Sequence, residues 1–544
     1  MGLRATFKYL LLLLLSLNLA ASSTFKELET YPNSLAKDYY IYRFLSEKNP
    51  SPNEAWQLLN QIQNINPRLL KLIGEKADDK EFKKAVKCLY LDSKSFWNED
   101  EECMAIRISP SLLVTFDIEK RGILFEKLNK LYKDEFKWME PLLHKEPFDK
   151  AIKSPHFLYL YVNVGQNFRK NYFNKNIDKQ TLINLSQEAE FDLFVNKVVI
   201  ENSHENVAKS LLNLTPKDIN IMPYSAFLLG LNALIHKNSD LAISWFTQSF
   251  QNSYYQSEKD RALFWLYLSS NDKSHLQKLA QSWDLNIYSI AAKEKLDEEF
   301  FEILSPEPTK EKKSNYSVTD PYTWRETLRF LKNNADKNLD NFINSLYTKE
   351  TLPHYAFAKE RLSGYKEHYF IAPYKEYLEK FSIDRKALIL AITKQESRFI
   401  PASISTSYAL GMTQFMPFLA KHIAKEESIK GFDLDFMFNP KYAYRFANIH
   451  LNYLESWLFH PILVAYAYNG GIGFTRNMLT KENLFKKGEY EPFLSLELVP
   501  YPESREYGKK VLANYIVYKK ELGERVFIWD LFETLSSPDA LHRF

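Results

Sequence analysis

Only two cysteines, Cys88 and Cys103, and only fourteen glycines occur in these 544 residues. Two thiols cannot form the disulfide framework that replaces a core in small secreted domains, and alone they make a poor zinc site. Scarce glycine argues against strand-rich folds, whose turns need many residues at positive φ. The scarcity is uneven, since Gly2, Gly74, Gly122, Gly165 and Gly230 are the only five before residue 360. The first two thirds of the chain should therefore be mainly helix joined by short polar turns. An excess of one charge is missing too: 71 basic against 68 acidic residues leave a formal charge of +3, without the basic footprint of a nucleic-acid binder. Past the amino terminus, no apolar run approaches the roughly 20 residues that span a bilayer.

What is present begins with targeting information. Arg4 and Lys8 precede an apolar run from Tyr9 to Leu19, followed by Ala20, Ala21, Ser22 and Ser23. This pattern predicts a cleavable secretory signal peptide over residues 1–22, export to the periplasm, and no transmembrane anchor after its removal. In an oxidising compartment Cys88 and Cys103, fifteen positions apart, are candidates for a disulfide. A loop of that size contributes roughly 3 kcal/mol through the unfolded state.

Helical periodicity organises the middle of the chain. Ala226, Gly230 and Ala233 recur at helical spacing, Asn238-Ser239-Asp240 marks a turn, and Ala242, Trp245, Phe246 and Phe250 continue on a second helix. Ala262, Leu263, Leu266 and Tyr267 lead to another turn at Asn271-Asp272, 33 positions after the first. That interval is close to the roughly 34-residue period of stacked helix pairs. The expected fold class is therefore all-α: an amino-terminal superhelix of helix pairs over residues 23–305, a polar linker with connecting helices over 306–364, and a compact helical domain over 365–544. Such an array could guide a polymer, recruit a protein partner or simply brace the rest.

Candidate chemistry lies in the last part. Asp384 is expected to cap a helix carrying Leu388, Ala391, Ile392, Gln395 and Phe399, which Pro401 should end. Glu396 then stands in the last turns at the edge of the apolar stripe, where apolar neighbours and the helix dipole both favour the protonated acid that a glycosidic oxygen needs as donor. The eleven histidines include no His-Glu-x-x-His pair, and neither a phosphate-binding glycine loop nor a nucleophile elbow is present, so no metal or cofactor is expected.

Glu396 heads a series of four segments that follow in order. Glu396-Ser397 is followed by Gly411-Met412-Thr413-Gln414-Phe415-Met416-Pro417, then Ala467-Tyr468-Asn469-Gly470-Gly471, then Pro502-Glu503-Ser504-Arg505-Glu506-Tyr507. Together they resemble the soluble lytic transglycosylases, which have a goose-lysozyme-like catalytic domain behind a helical superhelix. The resemblance covers about residues 365–525. It implies that Glu396 is the single acid and base, cutting peptidoglycan between N-acetylmuramic acid and N-acetylglucosamine and leaving a 1,6-anhydro end. It further implies substrate-binding roles for Ser405, Gln414, Met416, Tyr468, Asn469 and Glu503.

Tyr468 and Asn469, beside three glycines, suggest a loop, and Glu503 has an alternative role as a surface ion-pair partner of Arg505. Asp433, Asp435 or Glu503 could supply a second carboxylate. Thr413, Tyr408 and Gly470 depart from the usual Met, Gly and Ala. The rival expectations are a hydrolytic muramidase on the same fold and a periplasmic scaffold that recruits cell-wall proteins through its helical array.

Overall fold

The computed structural model describes residues 24–311, 316–333, 338–481, 484–537 and 541–544. The expected signal peptide lies outside the described residues. As expected, the fold is all-α: among the described residues the only strands are Ile303–Leu304 and His368–Tyr369, paired in parallel. No helix there is long and apolar enough to cross a membrane.

The chain folds as two compact units, neither of them one run of sequence. One draws on residues up to Tyr90, Glu302–Ser456 and Asn514–Arg525; the other on Leu91–Phe301, Trp457–Ala513 and Val526–Phe544.

In the second unit the anticipated helix pairs are present as Pro223–Ile235, Ser239–Asn252, Gln256–Ser270, Lys273–Ala280 and Ile287–Lys295, each packed on the next. Local chemistry sets their ends. Asn238 accepts from the Leu241 N–H to start the second helix, Asn271 ends the third in the left-handed conformation, and Asp272 caps the fourth through Ser274. The buried rings of Phe227, Phe246 and Trp265 meet between the first three helices, with centroids 5.5 to 6.2 Å apart. Burying each such side chain contributes about 1.5–3 kcal/mol. Near the carboxyl end the helix Ile528–Leu535 joins this array, where Trp529 Nε1 donates to the Ala291 carbonyl at 2.9 Å.

The first unit holds the helices Leu35–Glu47, Ile383–Ser397, Pro417–Glu426 and Pro440–Glu455. Pro417 and Pro440 sit at the first helical position, where a missing N–H costs nothing. The buried Arg43 fastens the amino-terminal helix by pairing with Glu47, Asp433 and Asp435 at 3.0, 2.7 and 2.9 Å.

The expected cap of the Ile383–Ser397 helix is corrected. Ser382 is the cap, its side chain accepting from the Arg385 N–H, while Asp384 lies in the first turn and receives Lys519 Nζ at 2.6 Å and Tyr515 OH at 3.0 Å. Serine and aspartate are both good caps, and the choice between positions two apart falls to the one without a tertiary partner.

Candidate active site

Glu396 lies in the last turn of the Ile383–Ser397 helix and is half-buried, whereas Ala387 to Thr393 ahead of it are buried. The helix stops before Pro401, because Arg398 and Phe399 both adopt positive φ, 52° and 65°. Left-handed backbone at non-glycine residues costs on the order of 1 kcal/mol or more each, so the neighbourhood must hold this turn in place. Three bonds do. Glu360, 5% exposed, accepts Lys394 Nζ and Arg398 Nε, each at 2.6 Å, and Ser397 Oγ donates to the Met412 carbonyl at 2.7 Å. Burial pushes the Glu360 carboxyl up, but Lys394 and Arg398 outweigh it and hold the group below its ordinary value. Lys394 is itself lowered by burial.

The Ser397 bond leads into a tight loop built from residues 403–416. Ser405 Oγ accepts from the Ser407 and Ala409 N–H groups at 3.2 and 3.0 Å, and Leu410 bridges both Ile404 and Phe415. Gln414, at φ 52°, donates Nε2 to the Gly411 carbonyl at 2.7 Å and to the Ser403 carbonyl at 3.3 Å. Gly411 is required twice over: its φ is 75°, and a Cβ there would lie 1.9 Å from the Met437 carbonyl oxygen. Its close approach is thus to the chain's own backbone. Met416 is half-buried and precedes the Pro417–Glu426 helix.

Tyr468, Asn469 and Glu503 belong to the second unit. Tyr468 and Asn469 are not on a loop, as expected from the glycines, but at the end of the helix Pro461–Gly470, which Gly471 terminates at φ 87°. Asn469 Nδ2 donates to Glu503 Oε1 at 3.1 Å, and Ser504 Oγ donates to Asn469 Oδ1 at 2.6 Å. The expected ion pair of Glu503 with Arg505 is replaced by this amide contact. Arg505 is buried instead and donates to the Glu497 and Val499 carbonyls at 3.3 and 2.9 Å. Glu503 itself is exposed in the first turn of Pro502–Glu521.

Residues 373–490 match the Transglycosylase SLT domain. The chain thus carries an SLT domain. A stretch of 170 residues is 26% identical to the soluble lytic murein transglycosylase of Escherichia coli, covering 30% of this chain and 26% of that protein. The corresponding Salmonella typhimurium enzyme is 24% identical over 258 residues, 44% of this chain and 39% of that one. The chain thus matches less than half the length of these curated relatives. Among solved structures, the 70 kDa soluble lytic transglycosylase of Escherichia coli aligns over 98% of this chain and 94% of its own, at 17% identity and a TM-score of 0.41.

Within the SLT domain the departures from the family pattern have local causes. Tyr408, where glycine is often found, sits at φ 64°, a conformation glycine adopts without strain, and its buried ring packs on Tyr39 and Tyr42. Thr413 is fully buried, with Oγ1 3.4 Å from the Ala443 carbonyl. Gly470 admits Ser504: a Cβ there would lie 2.9 Å from Ser504 Oγ and 2.5 Å from the Phe474 ring. Sequence reasoning missed Glu360 and Ser504. Lys394 and Arg398, four apart and straddling Glu396, were the available sign of the first; nothing local marks the second. Among the described residues no three His, Cys, Asp or Glu side chains are grouped to hold a metal ion.

Proposed function

We propose that this protein is an exported, periplasmic lytic transglycosylase acting on peptidoglycan, with Glu396 as its only general acid and base. The observation that carries the reading is the placement of Glu396: half-buried at the end of a buried helix, inside the SLT domain, on a turn tied down on both sides. The names of the relatives, soluble lytic murein transglycosylases, point to the same substrate.

In this reading the Glu396 carboxylic acid protonates the oxygen between N-acetylmuramic acid and N-acetylglucosamine, and the N-acetylglucosamine side leaves as the alcohol. The Glu396 carboxylate then takes the proton of the muramic 6-hydroxyl, whose oxygen closes on C1 to give the 1,6-anhydro ring. A second carboxylate is dispensable when the sugar acetamido group supports the positive charge. The acids that next follow Glu396 along the sequence have other partners, which favours the single-carboxylate scheme. Asp433 and Asp435 are paired with Arg43, Glu427 with Arg445 and Glu426 with His422.

Ser405, Gln414, Met416, Tyr468, Asn469 and Glu503 serve the glycan strand. Ser405 Oγ, already accepting from two backbone groups, retains its hydrogen to donate, and Gln414 retains Oε1 as an acceptor. Met416 offers a soft apolar surface to an acetamido methyl.

Digestion of purified sacculi followed by mass spectrometry tests the reading. Anhydro-ended muropeptides, one water lighter than muramidase products, are expected. Reducing ends would instead assign a hydrolytic muramidase. Sacculi left uncleaved by the wild-type protein would leave only a scaffold role. Glu396→Gln should keep binding to sacculi and lose turnover.

A further inference from the structure

We infer that Glu360 is a positioning residue for the reaction, holding Glu396 in register through Lys394 and Arg398; this rests on the assignment of Glu396 as the acid and base.

The geometry is a clasp around one helical turn. At ~100° per residue, Lys394 and Arg398 fall on the same side of the helix end and Glu396 on the other. A single carboxylate closes the first two together, Oε1 on Lys394 and Oε2 on Arg398, each at 2.6 Å. Glu360 is not a loose surface partner. Its side chain is 7% exposed, Lys394 is 12% exposed, and both are bonded to the His368–Tyr369 strand, Glu360 Oε1 accepting from the Tyr369 N–H at 3.3 Å and Lys394 donating to the Tyr369 carbonyl at 2.6 Å. The Lys394 ammonium also sits 4.5 Å from the Phe370 ring centroid, and the Arg398 guanidinium 5.0 Å from that of Tyr365.

The clasp is needed because the helix ends under backbone strain. Arg398 and Phe399 are both left-handed without being glycine, and a turn ending in two such residues relaxes most easily by fraying backward, which would swing Glu396. Fraying breaks the Arg398 N–H bond to the Lys394 carbonyl, 3.0 Å long, and these are the two residues that Glu360 joins. A buried carboxylate between two cations thus converts a strained helix end into a fixed support. Catalysis by one acid depends on that support, since a displacement of about 1 Å can cost on the order of 100-fold in rate.

The test measures turnover and binding separately. Glu360→Gln keeps the shape of the side chain and removes the charge that joins Lys394 to Arg398. Release of anhydro-muropeptides from sacculi should fall roughly 10- to 100-fold, as expected for a misplaced acid. Co-sedimentation with sacculi, compared between the Glu396→Gln protein and the Glu360→Gln/Glu396→Gln double variant, should stay within about twofold, since only transition-state geometry is lost. If Glu360→Gln does not fold by circular dichroism, Arg398→Gln carries the test. Its side chain is 39% exposed, so the substitution is tolerated, and a severalfold fall in turnover with binding retained is the expected result.

Wild-type turnover in the folded Glu360→Gln or Arg398→Gln protein overturns the proposal, and so does a loss that appears equally in binding. Turnover persisting in Glu396→Gln instead overturns the acid assignment itself, so the two failures are told apart.

Discussion

Ser504 Oγ donates to Asn469 Oδ1 at 2.6 Å, and this bond ties the Asn469 amide to the Pro502–Glu521 helix. The opposite edge of the amide, Nδ2, donates to Glu503 Oε1 at 3.1 Å, and an ionised carboxylate can only accept. Both edges are therefore assigned by their partners, and Gly470 is the residue whose missing side chain lets Ser504 come this close.

Replacing Ser504 by Ala should loosen the amide, leaving it held by Glu503 alone, while keeping the fold intact. Ser504 is buried, and the lost hydrogen bond is worth about 1 kcal/mol, so the thermal midpoint should drop only slightly. Cleavage of sacculi should fall on the order of 10-fold if Asn469 orients the acetamido group. Unchanged cleavage would remove Asn469 from the binding residues.

Arg43 carries a stability prediction. Its side chain is 3% exposed and is shared by three carboxylates, so Arg43→Met leaves the half-buried Asp433 and Asp435 without their cation. The expected loss is roughly 3–5 kcal/mol, read as a lower urea midpoint. A midpoint equal to wild type would mean that the carboxylates are solvated without it.

Acid stability depends on buried titrating groups of opposite sense. His204, His450 and His460 are each lowered by burial from 6.5 to about 4. A histidine that resists its proton in the folded state contributes stability present above pH 6.5 and lost as pH falls through about 4. Asp260 and Asp435 are raised by burial from 3.8 to about 6, so their contribution is complete below 3.8 and lost as pH rises through about 6. Three histidines with the larger shifts outweigh two aspartates, and thermal melts should rise from pH 4 to pH 7. A flat or falling series contradicts this assignment.

Cys88 and Cys103 are both fully buried, and neither is a free thiol. We expect them to be joined to one another in the exported protein. Intact mass without reductant should be two hydrogens below the reduced value, and Cys88→Ser should lower stability by about 3 kcal/mol. Two alkylatable thiols in the unfolded, unreduced protein would disprove the bond.

Much of the molecule is set by signals that are local in sequence. Periodicity placed the helix pairs between Pro223 and Ser270, and Pro401 placed Glu396 in the last turns of its helix. A helix's face and its ends depend on residues within a few positions, so the chain carries their signs. Even so, Tyr468 and Asn469 close a helix rather than form a loop, because clustered glycines serve a helix stop and a close approach equally well.

By itself the sequence determined that this chain is helical, that its motifs stand in the order of an SLT domain, and that one glutamate ends a buried helix. Only the tertiary structure decided which residues hold that chemistry in place. Glu360 reaches Lys394 across 34 positions, Ser504 reaches Asn469 across 35, and Arg43 reaches Asp433 across 390. The compact units likewise draw on separated stretches. Partners that distant are selected by packing and by the need to pair every buried charge, and neither leaves a periodic trace along the chain.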